Sequence, residues 1–158
     1  MTGELARLKE LALARKHRLV ESLAGAEFYA ELGEAEALLG ECRPPLTSPD
    51  LGSNKDSTQA LLKKLGAIER DVTAFQTTVE ALEVQAAKLA DKGHYDGPNL
   101  RAGAARLRRL HNELGMLCVQ RDRRLQRSVQ LYRCVPPDNK TVFVFFFLKQ
   151  KFVIKIKI

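Results

Sequence analysis

A chain of 158 residues suits one domain with a single elongated core, and this one contains no Trp. Its net charge is +7, but residues 135–158 carry five Lys against one Asp, so the remainder holds only +3 spread over both signs. That balance describes solvated helix faces rather than an electrostatic footprint, and it argues against nucleic acid as a partner.

Five of the seven Phe lie after Val142, whereas the first 134 residues are dominated by Ala, Glu, Leu, Lys and Arg, the composition of long helices. Residues 4–42 read as one helix without Pro. Leu5, Leu8, Ala12, Arg15, Leu19 and Ser22 mark one seam on it; Phe28, Leu32, Ala35, Leu39 and Cys42 mark another. The phase changes near Ala24-Gly25-Ala26, as expected of a helix that serves two successive cores. Arg43-Pro44-Pro45 should stop it, because Pro lacks an N–H and restricts the residue before it. A loop is expected from there to Gly52.

Asn54 is a candidate N-cap for a second helix over about 55–92, with Asp56 suited to the positive end of its dipole. The apolar residues Leu61, Leu65, Ile68, Val72, Phe75, Val79, Leu82, Ala86 and Leu89 follow gaps of four and three without a slip. That spacing draws one narrow apolar seam, which needs partner helices to be stable. Gly93 is expected to end this helix in the left-handed region. Asp96 and Pro98 open a third, running to about Cys134 with Leu100, Ala104, Leu107, His111, Leu114, Cys118, Leu125, Val129 and Tyr132 inward. Short connections force neighbouring long helices antiparallel. The expected fold is therefore all-α: a left-handed, up-down-up three-helix antiparallel bundle.

The chain also repeats itself at an offset of about 106 residues, a tandem-array period. Leu8/Leu114, Leu11/Leu117, Arg15/Arg121, Arg18/Arg124, Leu19/Leu125 and Ser22/Ser128 are identical pairs. Residues 1–24 then read as the last helix of a preceding, otherwise missing unit, and 25–134 as one complete unit. Residues 135–158 form an apolar and Lys-rich tail whose run Val142–Leu148 is β-prone and shorter than a membrane helix needs.

The expected answer for catalysis, cofactor and metal is none. His17, His94 and His111 have no ligand spacing with Cys42, Cys118 or Cys134, and GAARLRRL lacks the residues of a phosphate loop. The cysteines are odd in number and widely spaced, which suits small core hydrophobes in a reducing cytosol. The opening residues MTGELARLKE alternate charge, and no signal peptide is expected from them.

LKELALARKHRLVESL, EFYAELGEAEALL, SPDLGSNKDSTQALLKKL and KLADKGHYDGPNL together resemble a spectrin repeat over about residues 5–134. The last two are the more specific and are similar to beta-chain spectrins of the non-erythroid kind. The resemblance implies a rod of three-helix repeats in a cytosolic, actin-cross-linking membrane skeleton, partnered by another spectrin-type chain. It also marks two departures: where the family places a Trp in the first and third helices, this chain has Leu38 and His111. The calponin-homology and pleckstrin domains that bind actin and lipid have no counterpart here, so neither activity is implied for this stretch. The core expected on these grounds comprises Leu61, Leu65, Ile68, Val72, Phe75, Val79, Leu82, Leu38, Leu107, His111, Leu114 and Leu125. The expected role is a structural spacer and interaction module at the cell cortex. The alternative is a peripheral membrane-binding module using the tail and the run Arg121, Arg123, Arg124, Arg127.

Overall fold

The computed structural model describes residues 2–134. Four helices follow one another: α1 Thr2–Glu41, α2 Arg43–Thr47, α3 Lys55–Asp91 and α4 Gly97–Cys134. The apolar and Lys-rich tail, 135–158, lies outside the described residues.

Local chemistry sets the ends of α3. The Asn54 side chain accepts the Ser57 N–H at 2.8 Å, and the Ser57 hydroxyl accepts the Asn54 N–H at 3.0 Å, closing a reciprocal capping box. At the other end Gly93 takes φ +81°, and its N–H returns to the Ala90 carbonyl at 3.0 Å. Asp96 opens α4 through its backbone carbonyl, which accepts the Leu100 N–H at 3.1 Å. Its carboxylate takes the Asn99 amide and the Tyr29 hydroxyl.

The connection after α1 differs from the expected loop. Pro44 and Pro45 do not simply end a helix; they sit in the first turn of α2, where N–H groups have no helical partner to lose. Leu46 on this short helix is buried and caps one end of the core.

Cross-links fix how the long helices lie. Arg106 pairs with Glu36 on α1, and Glu113 with Arg43 at the start of α2, both at a separation of 70 residues, so the chain from α1 into α2 runs parallel to α4. On α3 and α4, Asp91 meets Arg101, Glu83 meets Arg108, and the Val72 carbonyl meets His111, so numbers fall on one as they rise on the other. That is an antiparallel pair, and the three long helices form an up-down-up bundle.

The core runs through Phe28, Leu32, Leu39, Val72, Val79, Leu82, Leu100, Leu107, Leu114, Cys118 and Leu125, all buried. Gly103 lets α1 approach α4, since a Cβ there would meet Leu32 Cδ2 at 2.7 Å. Leu65 is also buried, but Leu61, Ile68 and Phe75 are only partly so and pack on the core edge. Leu38 is the clear correction: it is 43% exposed, while its neighbour Leu39 is fully buried. The helical step of about 100° between adjacent residues puts only one of the two in the interior. Leu38 lines a shallow groove between α1 and α3 with Ala35, Phe75 and Leu82, leaving Phe75 short of cover.

Whereas Leu38 lines the α1–α3 groove beside Phe75, His111 is half-buried and bonds the Val72 carbonyl of α3. Its Nε2 lies 2.9 Å from a carbonyl and therefore carries the proton, while buried Nδ1 has no partner. An imidazole satisfies one end of this position and wastes the other.

These burials set an order of mutational cost. Leu114→Ala should destabilise by about 2–5 kcal/mol, as a fully buried Leu does. Phe75→Ala should cost less, about 1–3 kcal/mol, because its ring already meets solvent in the groove. Urea midpoints of the two variants check the order; equal losses would place Phe75 in the interior.

Candidate interaction site

The most unusual surface lies on the first half of α1. From Gly3 to Val20 every residue is exposed, although the stretch carries Leu5, Leu8, Leu11, Leu13, Leu19 and Val20. Leu8 alone is 63% exposed. Burial begins at Gly25 and then recurs at Phe28, Leu32, Ala35 and Leu39, with the helix unbroken. A protein surface seldom leaves so many large apolar residues together unless something else covers them.

A junction fastens the projecting half to the bundle. The His94 ring is buried in the α3–α4 connection, with Nε2 2.9 Å from the Glu21 carbonyl and Nδ1 3.1 Å from the Asp96 N–H. A carbonyl only accepts and an N–H only donates, so the proton sits on Nε2 and both ring nitrogens are satisfied. Gly25 makes the space: a Cβ there would meet His94 Nε2 at 2.9 Å and Cε1 at 3.0 Å. Tyr29 adds a second clasp through its hydroxyl to Asp96. That bond pushes the phenol up to about 12 and holds the Asp96 carboxyl below the usual range. Nothing in the sequence tied His94 to Glu21 or Gly25.

At the far end α4 reads the backbone of the α2–α3 connection. Arg121 is 4% exposed and donates from its two terminal nitrogens to the carbonyls of Ser48 and Asp50. Ser128 donates to the Leu51 carbonyl at 3.4 Å and Tyr132 to that of Gly52 at 3.0 Å. Thr58, fully buried on α3, shares the Leu51 carbonyl at 2.8 Å. A buried guanidinium is tolerable only because aligned carbonyl dipoles receive its N–H groups. The basic run Arg121, Arg123, Arg124, Arg127 thus loses its first member to the interior.

The thiols of Cys42 and Cys118 are pushed up chiefly by burial, which keeps them protonated and poorly nucleophilic at neutral pH. Among the described residues, no three His, Cys, Asp or Glu side chains gather as a metal site, and no helix is long and apolar enough to cross a membrane. The grooves are shallow; one is lined by Glu36, Arg106, Arg109 and Glu113, another by Leu38 and Phe75.

A bundle of three long helices, with one running on past its end and an apolar face left over, defines the class of helical repeat modules. The chain belongs to the spectrin repeat family, which matches residues 26–127. It is 33% identical over 129 residues to the human spectrin beta chain, non-erythrocytic 5, covering 82% of this chain and 4% of that one. It is 30% identical over 126 residues to the human spectrin beta chain, non-erythrocytic 4, covering 80% and 5%. The mouse spectrin alpha chain, erythrocytic 1, is 23% identical over 124 residues, covering 78% and 5%. The chain therefore spans about a twentieth of the length of these relatives. No solved structure matches it.

Two outcomes follow from the junction and the ion pairs. Gly25→Ala should destabilise by about 1–2 kcal/mol through the His94 clash, against a helix-propensity gain of up to about 1 kcal/mol. In a His94→Ala background the same change should become neutral or stabilising, and a urea double-mutant cycle reads the difference. A cost that persists without the imidazole would rule out the clash.

The acid limb follows from Glu83, whose carboxyl is held below its ordinary value by the hydrogen bond from Arg108, with burial opposing. The folded state then binds the proton less well than the unfolded one. Its contribution is complete above the unfolded value of about 4.3 and is lost as pH falls through the lower folded value. Asp96 acts with the same sign; Tyr29 acts at the alkaline end, losing its contribution as pH rises from about 10 through its folded value. Glu83→Gln should remove under about 1 kcal/mol at neutral pH, since the pair is partly exposed, and flatten the profile below about pH 4.5. Urea melts between about pH 7 and pH 3 test it; an unchanged acid slope would contradict the pairing.

Proposed function

We propose that this chain is a structural spacer and protein-interaction module of a spectrin-type membrane skeleton in the cytoplasm, at the cell cortex. In this reading residues 1–24 are the last helix of a preceding repeat and 25–134 are one complete repeat. The observation that carries it is the unbroken α1, buried on one side of Gly25 and apolar yet exposed on the other. A continuous helix between two cores transmits bending and tension from one to the next, and that is the mechanism of a spacer. Spectrin relatives of both the beta and the alpha kind support a second spectrin-type chain and cytoskeletal proteins as partners. Cross-linking of actin would belong to other domains of such a protein. Among the described residues none proposes itself for catalysis: the Cys42 and Cys118 thiols are held protonated, and the grooves are too shallow to exclude water around a substrate.

Stretching the chain between its ends tests the mechanical role. Residues 25–134 should unfold in one cooperative event that releases roughly 30 nm, given about 0.35 nm per extended residue. Gradual extension without such an event would remove the spacer reading. Sedimentation with anionic vesicles tests the membrane alternative. Salt-sensitive binding that disappears when the chain stops at residue 134 would favour the tail and the exposed Arg123, Arg124 and Arg127 over the spacer.

A further inference from the structure

The internal repeat, placed on the structure, says what the bare half of α1 is built to receive. Arg15 stands where α4 has Arg121, and Ser22 where it has Ser128. In α4 these two side chains are buried and donate to carbonyls of the connection between α2 and α3. The apolar positions correspond as well. Leu8 and Leu19 match Leu114 and Leu125, both buried, yet in α1 both lie open to solvent. Ala12 stands at the place of buried Cys118, and Leu5 at that of His111, so apart from Arg15 and Ser22 the copied seam is apolar.

A cation amid an apolar seam has a physical use only where something receives its N–H groups, and burying it without partners is costly. Arg121 shows what the receiver is: the outward carbonyls of a turn that joins two antiparallel helices. We infer that Arg15 is a locking residue whose guanidinium clamps two backbone carbonyls in the interhelical connection of an incoming two-helix hairpin. The hairpin's apolar seam covers Leu5, Leu8 and Leu19, and Ser22 takes a third carbonyl. The occupant is thus an antiparallel hairpin carrying a connection like Ser48–Gly52 of this chain. Recognition goes through backbone acceptors, so it selects the shape of that turn more than its side chains. Tyr132 has no such copy, since Ala26 stands in its place; the lock on α1 lacks the hydroxyl that reaches Gly52 in the resident unit. This inference rests on residues 1–24 being the third helix of a repeat, and the test separates the two.

The test supplies the hairpin. A second copy of residues 25–106 is joined ahead of residue 1 of the full chain, so that Met1 takes the place of Leu107 and the copied seam continues in register. The longer protein should be a monomer with a second cooperative unfolding transition, and Leu8 and Leu19 amides should gain hydrogen-exchange protection. Arg15→Ala in it should lower the folding equilibrium constant of the added unit by about tenfold or more, and Arg121→Ala should do the same to the resident unit. Arg15→Lys should not restore it, because one ammonium cannot fork across two carbonyls. Arg15→Ala in the original chain should leave its melt unchanged. If the added segment folds but Arg15→Ala costs no more than Arg18→Ala, the lock is overturned and the third-helix reading stands. If the added segment brings no helicity and no protection, the third-helix reading itself falls.

Discussion

The bundle depends on the narrowness of the seam on α3. Apolar residues at alternating spacings of four and three give a strip too thin to fold alone and too long for one neighbour to cover. Helix α4 supplies the main cover, with Leu100, Leu107, Leu114 and Leu125 fully or almost fully buried against it. Helix α1 supplies the rest, and less completely. Leu38 turns outward beside Phe75, and that edge is a groove. Burial along α3 is uneven, with Leu65, Val72 and Val79 sealed and Ile68 and Phe75 half-open.

Polar chemistry then fixes the two ends of the rod. At one, the His94 imidazole bridges the Glu21 carbonyl and the Asp96 N–H and fills a notch that only Gly25 leaves free. At the other, Arg121, Ser128 and Tyr132 bond the carbonyls of the α2–α3 connection. Both devices satisfy backbone groups that a turn would otherwise leave exposed or orphaned. They also differ in consequence. The imidazole clips α1 at the point where its buried half meets its exposed half. The guanidinium clips a turn within the bundle and bears on whether this unit holds together.

On the proposed reading, the helix that would serve two cores carries a cost where only one core covers it. Its free half exposes Leu5, Leu8, Leu19 and Leu23, which an isolated domain would avoid. The same feature gives a repeat array its mechanics, since continuity of the helix couples each unit to the next.

The sequence by itself determined the helices, their order and most of their ends, because periodicity, caps and glycines act over a few residues. Asn54, Gly93 and the unbroken spacing from Leu61 to Leu89 are local facts, and so is the change of phase at Gly25. Tertiary structure alone decided which of two adjacent leucines enters the core: Leu39 did and Leu38 did not, since rotation about α1 is set by its fit to Gly103 and Phe75. Packing also decided that Pro44 and Pro45 begin a short helix, because buried Leu46 anchors it. The partners of His94, His111 and Arg121 were out of reach of the sequence for one reason. Each bonds a backbone carbonyl 39 to 73 residues away, and a carbonyl carries no mark of residue type.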